Sequence, residues 1–374
     1  MFDYDQLKKN YDVRFTAQQV EELVAIGIMV DNTPLEKQSR LFPQINKLTG
    51  LKDYIQQKYS KEPHLTYFSG GNHAIILEDK STPVKIGTDG SGYSKEFGAT
   101  AWHVSPGFSH LYKISDDNEN ETKIRNKLLG EPENPYALIN SHWKMFHLFI
   151  GNDIGNGILE IPTLENEMNL VDLVKDLYRY QDKEELALEV ITTARDIFIG
   201  LLVLKHYGIY HRDLWLGNIV INQAGIASII DFGLATDIPH SSPKNNRKYG
   251  GANDLISFGQ ILYKLYTGNN LFKSTIEESS WVQADVIKKF RTECYQSSAM
   301  LTERMKQLEQ IDGGFQQKTL QTIIAISLQA VKPDPSNNSF AHEGYYRYLR
   351  EIFNKHLFLD ENQDRSSDSY IRAF

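Results

Sequence analysis

Cysteine is almost absent from this chain of 374 residues, which contains one cysteine, Cys294. One cysteine excludes an intrachain disulfide framework, and any zinc site would need ligands other than cysteine thiolates. Long hydrophobic runs are missing as well, because the longest, Ile197–Leu204, is far shorter than the roughly 20 residues of a membrane-spanning helix. No transmembrane segment is therefore expected.

Positive charge is not in excess, since the formal net charge is −8. Domains that bind nucleic acid through its phosphates are usually basic, so the composition does not favour a nucleic-acid partner. The first residues, MFDYDQLKKNYDV, lack the apolar core of a cleavable signal peptide, and a cytoplasmic location is expected. With 41% apolar residues at this length, the chain is expected to form two lobes or domains.

The local patterns divide the chain into four parts. Residues 1–62 have a polar, helical pattern, in which Thr16 and Gln19 have the spacing of a capping box. Residues 63–168 contain short β-favouring runs, LTYFSGG, HAIILED, TPVKIGT, FSHLYKIS, MFHLFIG and GILEIPTLE, together with a predicted helix over 93–104 and a predicted solvated loop over 115–122. Residues 169–358 are mainly helical in pattern, and residues 359–374 form a polar tail.

The segment from Tyr207 to Asp237 contains a concentration of residues suited to chemistry, namely His211-Arg212-Asp213, Asn218 and Asp231-Phe232-Gly233. A carboxylate can orient an attacking hydroxyl and accept its proton, and hard Mg²⁺ prefers oxygen ligands from carboxylates and amides. The runs IVIN and ASIID flank the turn at Gln223–Gly225 and predict a hairpin. Such a hairpin would bring Asn218 and Asp231 to the same end of two neighbouring strands.

This segment resembles the catalytic loop and the metal-binding triplet of eukaryotic-type protein kinases. The resemblance implies that Asp213 is the catalytic aspartate, that Asn218 and Asp231 bind Mg²⁺ or Mn²⁺, and that ATP is the phosphate donor. It also implies an α+β fold with two lobes, a small β-rich N-lobe (63–168) and a larger helical C-lobe (169–358), with ATP between them and a hinge near Ile161–Asn169. In the same family the aspartate that begins DLISFGQILY, here Asp254, hydrogen-bonds the backbone of the catalytic loop.

The resemblance extends to the ATP-binding half of the family's site. Gly70 and Gly71 lie where the glycine-rich loop belongs, although adjacent glycines also form ordinary hairpin turns. Lys85 in PVKI resembles the lysine that holds the phosphates, and Glu96 on the predicted helix is the candidate for its carboxylate partner.

Two features depart from the pattern of protein kinases. Only 22 residues separate Asp231 from Asp254, without an Ala-Pro-Glu triplet, so the usual platform for a peptide substrate is reduced. Trp215 stands where serine/threonine kinases usually carry lysine, and this loop is similar to that of small-molecule kinases related to aminoglycoside and fructosamine kinases. Three functions remain open: a protein kinase with serine or threonine acceptors, which is favoured; a small-molecule, phosphoinositide or lipid kinase; and a pseudokinase scaffold.

The shortened segment carries Lys244, Arg247 and Lys248, in the expected neighbourhood of Arg212. These cations form a hypothetical regulatory anion site for a phosphorylated residue, an inositol phosphate or a lipid head group. The N-terminal extension and the shortened segment resemble atypical kinases that bacteria deliver into host cells, which would add secretion by a non-classical route to the cytoplasmic expectation.

Overall fold

The computed structural model describes sixteen stretches of the chain. They are residues 16–29, 44–69, 74–79, 93–94, 99–100, 110–115, 118–129, 148, 151–162, 168–171, 174, 182–221, 225–237, 253–269, 313–329 and 339–358. All helices and strands given below lie within these residues.

The described helices are α1 (Ala17–Ala25), α2 (Ile45–Tyr59), α3 (Asn118–Leu129), α4 (Lys183–His206), α5 (Asn253–Thr267), α6 (Phe315–Gln329) and α7 (Ser339–Phe358). The described strands are β1 (Ile28–Met29), β2 (Leu65–Ser69), β3 (Ala74–Asp79), β4 (Tyr93–Ser94), β5 (Ala99–Thr100), β6 (His110–Ser115), β7 (Asn152–Asp153), β8 (Ile158–Pro162), β9 (Met168–Asn169), β10 (Ile219–Ile221) and β11 (Ala227–Ile229). Within the described residues, no helix is long and apolar enough to cross a bilayer.

The chain forms two compact units, the first made of Met1–His142 and Ile150–Glu167, the second of Trp143–Phe149 and Met168–Phe374. The first unit contains a six-stranded sheet in the order β1-β2-β3-β6-β8-β7. Its pairs are antiparallel except for the parallel pair of β1 and β2. The strands predicted from LTYFSGG, HAIILED, FSHLYKIS and GILEIPTLE are confirmed as β2, β3, β6 and β8.

One face of this sheet is covered by the N-terminal segment. Side chains alternate between the two faces of a strand, and the residues of β3 alternate between half-buried and buried accordingly. The buried set joins sheet residues to residues of α1 and α2 in one hydrophobic core, which contains Val20, Leu23, Leu48, Leu51, Ile55, Leu65, Ile75, Leu77, Tyr112, Ile114 and Ile158. The described part of the N-terminal extension therefore shares the core of the first unit.

Helix α1 begins with the capping box that the sequence predicts. The Gln19 N–H donates to Thr16 Oγ1 at 3.2 Å, and the Thr16 N–H donates to Gln19 Oε1 at 3.0 Å. These two bonds satisfy donors that the first turn of a helix leaves without an intrahelical partner. The predicted capping box is confirmed.

The solvated loop predicted over 115–122 is wrong, because α3 begins at Asn118. Its acidic residues Glu119 and Glu121 lie in the first turn, where negative charge interacts favourably with the helix dipole, and Lys127 lies in the last turn. The acidic and amide residues that suggested a loop are therefore equally typical of the first turn of a helix.

The helix predicted over 93–104 is also wrong in its described part. Tyr93–Ser94 pairs with Ala99–Thr100 in an antiparallel two-stranded sheet. Glycine and threonine near the second strand have low helix propensity, so a short hairpin is compatible with this composition.

A buried carboxylate joins α2 to the sheet. Glu160, 1% exposed, accepts hydrogen bonds from the Tyr54 hydroxyl at 3.0 Å and the Tyr59 hydroxyl at 2.9 Å, and forms an ion pair with Lys58 at 3.0 Å. Burial, and next the charge of Glu160, raise the pKa of the Tyr112 hydroxyl above its ordinary value. The carboxylate is stabilised by several donors at once, which is how a buried charge is tolerated.

We expect Glu160→Leu to lower the free energy of unfolding by about 3 kcal/mol, because two tyrosine hydroxyls and a lysine ammonium lose their shared acceptor. Urea unfolding measures this loss. The matched control is Glu62→Leu, which removes an exposed carboxylate whose ion pair with Lys52 spans 3.6 Å, and it should cost no more than about 1 kcal/mol. Equal losses for the two variants would contradict the role given to Glu160.

The second unit is built around α4, whose residues Ala194–Leu204 are almost all buried. Asp182 caps its N-terminus by accepting the Glu184 N–H at 2.8 Å. Phe198 of α4 lies 5.1 Å from Phe353 of α7 and 6.1 Å from Phe258 of α5, measured between ring centroids. Strands β9, β10 and β11 form an antiparallel sheet in the order β11-β10-β9. This helical scaffold fixes the short strands and the loops between them.

Candidate active site

The hairpin of β10 and β11 brings two predicted site residues to one end of a pair of strands. Ile219 pairs with Ile229, and the Ile230 N–H donates to the Asn218 carbonyl at 3.0 Å. Asn218 directly precedes β10, and Asp231 comes two residues after the end of β11. The structure thus contains the hairpin that the sequence predicts, with Asn218 and Asp231 at the same end.

The loop that precedes this hairpin is held by a carboxylate from α5. Asp254, 8% exposed, accepts the His211 N–H at Oδ2 over 2.8 Å and the Arg212 N–H at Oδ1 over 2.9 Å. Arg212 has a positive φ of 70°, a conformation that costs free energy in a non-glycine residue. The two hydrogen bonds from the backbone to Asp254 stabilise the loop in this conformation.

His211 is fully buried and links the loop to the hairpin. Its Nδ1 accepts the Asp213 N–H at 3.3 Å, so the ring is deprotonated at that nitrogen. Its Nε2 lies 2.9 Å from the Ile230 carbonyl oxygen and therefore carries the proton that it donates. The ring also meets Phe232 edge-on, with 5.0 Å between centroids. His211 and Phe232 therefore pack against each other in the interior.

The amide of Asn218 holds the carboxylate of Asp213. Asn218 Nδ2 donates to Asp213 Oδ2 at 3.0 Å and to the Asp213 carbonyl at 2.8 Å. Both amide hydrogens are used in this way, which fixes Nδ2 toward Asp213 and leaves Oδ1 on the other side. Among the described residues, none donates a hydrogen bond to that Oδ1.

Asp231 has a left-handed backbone, with φ of 63°, and its Oδ1 accepts the Gly233 N–H at 3.4 Å. The chain then turns, because the Ala235 N–H donates to the Phe232 carbonyl at 3.0 Å. Thr236 and Tyr210 exchange two backbone hydrogen bonds of 2.9 and 2.8 Å, which join the end of this turn to the residue before His211. The loop and the turn are therefore tied together on both sides of Asp213.

The first unit contains a buried ion pair of its own. Lys113 Nζ, on the central strand β6, lies 2.6 Å from Glu121 Oε2, on α3. The side chains of Lys113 and Glu121 are 9% and 2% exposed. Burying two charges is costly unless they are paired, so the pair holds α3 against β6.

Residues 163–336 match the family model described as the protein kinase domain. The matched range contains Asp213, Asn218, Asp231 and Asp254, and it begins beyond the sheet of the first unit. The match supports the predicted kinase, and the antiparallel sheet and the helices confirm the predicted α+β fold class.

Three curated relatives that part of the chain matches are named serine/threonine-protein kinase PLK4. The relative from Drosophila willistoni is 26% identical over 149 residues, and the one from Drosophila persimilis is 28% identical over 149 residues. The relative from Nematostella vectensis is 32% identical over 148 residues. Each alignment covers 33% of this chain, and the chain spans 19%, 19% and 15% of the lengths of these relatives, about a fifth or less.

The predicted metal ligands, Asn218 and Asp231, can be compared with the ligands that Mg²⁺ prefers. Magnesium in kinases is held by one or two carboxylates, an asparagine and the phosphates of the nucleotide. The Asn218 Oδ1, without a donor among the described residues, and the carboxylate of Asp231 offer the oxygen chemistry that this ion requires. Asn218 and Asp231 therefore have side chains suited to binding Mg²⁺.

Seven predicted site residues lie outside the described residues, namely Gly70, Gly71, Lys85, Glu96, Lys244, Arg247 and Lys248. The roles predicted for them stay predictions. For Gly70 and Gly71, the flanking strands β2 and β3 form an antiparallel pair, with an irregular register between Tyr67 and Ser69.

Sequence reasoning did not single out Lys113 and Glu121. In protein kinases the phosphate-binding lysine lies on the third strand of the small lobe and pairs with a glutamate on the following helix. Strand β6 is followed directly by α3, and it lies between β3 and β8 in the sheet. The signal in the sequence was the single lysine in the strand pattern LYKIS, followed eight positions later by a glutamate.

Trp215 lies within the loop, two positions after Asp213, and is half-buried. Its indole ring occupies the space that a Cβ atom at Gly217 would need. Gly217 is therefore the residue that allows the ring to lie against the loop. An aromatic ring thus lies beside the loop that carries Asp213, at the position where serine/threonine kinases usually carry lysine.

We expect Asp254→Ala to lower the free energy of unfolding by about 2–4 kcal/mol, because two backbone N–H groups lose their acceptor. Activity should fall as well, since the loop that carries Asp213 is no longer held. Asp254→Asn keeps one acceptor oxygen and should lose about half as much. Thermal and urea unfolding of the two variants check this order, and an Asp254→Ala protein as stable as the wild type would contradict it.

Proposed function

We propose that this chain transfers the γ-phosphate of ATP to a hydroxyl group, with serine or threonine of a protein as the favoured acceptor. The observation that carries the proposal is the contact of Asn218 with Asp213. One face of the asparagine amide orients a carboxylate, and the other offers an oxygen to a metal ion. A scaffold that binds no nucleotide has no need of this arrangement.

The carboxylate of Asp213 orients the acceptor hydroxyl and accepts its proton as the phosphate is transferred. Its position is set on three sides: Asn218 holds the carboxylate, His211 accepts the Asp213 N–H, and Asp254 holds the backbone before it. Because little covalent chemistry is asked of the protein in phosphoryl transfer, such positioning is its main contribution.

Asn218 and Asp231 would hold Mg²⁺, which bridges the phosphates of ATP and neutralises the charge that develops on them. The left-handed backbone of Asp231 and the turn after it direct the carboxylate. This conformation is strained in an aspartate, and strain of this kind is common at functional sites.

We assign the phosphate-binding lysine to Lys113, with Glu121 as its partner. The pair has the order along the chain that kinases use, a strand lysine followed by a glutamate on the next helix. The ion pair orients the ammonium group so that less conformational freedom is lost when the phosphates bind. Lys85 and Glu96 lie outside the described residues, and the roles predicted for them stay predictions.

The acceptor is proposed from two observations that point in different directions. The relatives are named serine/threonine kinases, which favours a protein acceptor. Trp215 against Gly217 favours the second candidate, a small molecule or a lipid head group, because the ring offers a flat apolar surface in place of a cation.

Incubation with radiolabelled ATP tests the function and separates the acceptors. The protein is incubated alone, with protein substrates, and with sugar and phosphoinositide panels, and each reaction is repeated with Asp231→Ala. Label on protein that disappears in the variant supports the protein kinase. Label on a small molecule alone supports the second candidate, and no label with any panel would contradict the proposal and favour a pseudokinase.

The regulatory anion site and delivery into a host cell remain proposals drawn from the sequence. For Arg212, the structure describes a backbone N–H held by Asp254. If an inositol phosphate or a phosphorylated residue activates the enzyme, then replacing Lys244, Arg247 and Lys248 by glutamine should abolish the activation. Unchanged activity and anion binding in that triple variant would end this idea.

A further inference from the structure

A single buried amide joins the three elements around the Lys113–Glu121 pair. Asn118 is the first residue of α3 and is 1% exposed. Its Nδ2 donates to the Lys113 carbonyl at 2.9 Å and to the Gly157 carbonyl at 2.7 Å. A primary amide has two N–H groups, so both are used, one on β6 and one on the turn before β8.

The position of Asn118 determines where Glu121 can reach. Residues three apart lie on the same side of a helix, one turn from each other. Glu121 binds the ammonium group of Lys113, while Asn118 binds the carbonyl of the same residue. One turn of α3 therefore holds both the backbone and the side-chain end of Lys113.

The turn that accepts the second hydrogen bond is itself constrained. Gly157 has a φ of 71°, and a Cβ atom there would lie 2.8 Å from the Ser115 carbonyl oxygen. Its carbonyl also accepts the Ser115 N–H at 3.2 Å. The Lys47 ammonium group of α2 reaches the Ser115 carbonyl at 3.5 Å. The start of α3 is thus fastened to a rigid part of the sheet.

In protein kinases, the lysine–glutamate pair is the contact through which movement of the helix controls activity. In this chain the glutamate follows the lysine by eight residues, and the helix begins three residues after the strand ends. Moving α3 far enough to break the pair would also break both hydrogen bonds of Asn118.

We infer that Asn118 is a positioning residue, which keeps the Lys113–Glu121 pair formed before nucleotide binds. The inference rests on the proposed function, because it assigns Lys113 to the phosphates. Its consequence is a kinase whose phosphate-binding lysine is preorganised without a signal that moves α3.

Calorimetric titration with a non-hydrolysable ATP analogue and Mg²⁺ tests this inference. Asn118→Asp keeps the shape of the side chain but cannot donate to either carbonyl, and we expect about tenfold weaker binding. In a Glu121→Gln background the same change should have little further effect, because Asn118 acts through Glu121. The control is Asn126→Asp on the same helix, whose Oδ1 lies 3.5 Å from Arg125 Nη1, and its affinity should be unchanged.

Additive losses in the double variant, or an Asn118→Asp protein that binds within twofold of wild type, would overturn the inference. If Asn118→Asp does not fold, hydrogen exchange of the wild type decides: α3 amides should be equally protected with and without nucleotide. Protection that appears only with nucleotide would also overturn it. A different result is expected if the proposed function itself is wrong. The wild type would then bind no ATP analogue, or the Lys113→Met variant would bind the analogue as well as the wild type does.

Discussion

Replacing Asp213 by asparagine is expected to lower kcat by about 10²–10⁴-fold, the range that a positioned general base contributes. Asparagine keeps the size of the side chain and an oxygen for the Asn218 amide, but it cannot accept the proton of the acceptor hydroxyl. The KM for ATP should change little, because the role proposed for Asp213 is toward the acceptor hydroxyl and not the phosphates. Steady-state kinetics with the acceptor identified by the labelling screen measure both constants.

The control for the Asp213→Asn variant is a measurement of its thermal stability. The hydrogen bonds of the Asp213 backbone to His211 and Asn218 do not depend on the carboxylate, so thermal unfolding should match the wild type closely. A folded Asp213→Asn protein with wild-type kcat would exclude Asp213 as the residue that accepts the proton.

Lys113→Met is expected to lower the free energy of unfolding by about 3–5 kcal/mol, because it leaves the Glu121 carboxylate buried without its cation. It should also weaken ATP binding by roughly ten- to a hundredfold, the loss of one charge-assisted contact to phosphate. Urea unfolding and calorimetric titration with ATP measure the two effects separately.

The double variant Lys113→Met, Glu121→Leu separates stability from binding. Replacing both members of a buried ion pair by apolar side chains is often neutral or stabilising, so most of the lost stability should return. ATP binding should stay weak, because no ammonium group remains. Recovery of ATP affinity together with stability would contradict the assignment of Lys113 to the phosphates.

The arrangement of Asp213, Asn218 and Asp231 was predictable from the sequence because these residues are close along the chain. Asp213, Asn218 and Asp231 lie within nineteen positions, and a hairpin with a recognisable turn lies between the last two. The scaffold role of Asp254 was also predictable, and its two backbone hydrogen bonds are observed. Short-range patterns of this kind depend little on the rest of the fold.

The proposed phosphate-binding half depends on which strand becomes central, and local pattern does not decide that. PVKI and LYKIS both have the pattern of a strand with one lysine. Lys85 lies outside the described residues, whereas Lys113 lies on the strand between β3 and β8 and pairs with Glu121. The partner was missed because the acidic stretch at 115–122 has the composition of a loop as well as that of a helix start.

The role of the N-terminal segment was equally hidden. Its helical pattern and its capping box were predictable, but the sheet face that it covers was not, because that contact joins residues far apart in the chain. Glu160 shows the same limit, since a glutamate in a strand gives no sign that Tyr54, Lys58 and Tyr59 will surround it.

The most direct test of the central claim is a calorimetric titration of the wild-type protein with ATP, with and without Mg²⁺, repeated with Asp231→Asn. We expect Mg²⁺ to strengthen ATP binding by the wild type, and we expect the variant to lose that strengthening, since Asp231 is assigned to the metal. Thermal unfolding should agree, because a ligand at 100 times its Kd adds about 2.7 kcal/mol of stability. A wild-type protein that binds no ATP, or a variant that keeps the full effect of Mg²⁺, would contradict it.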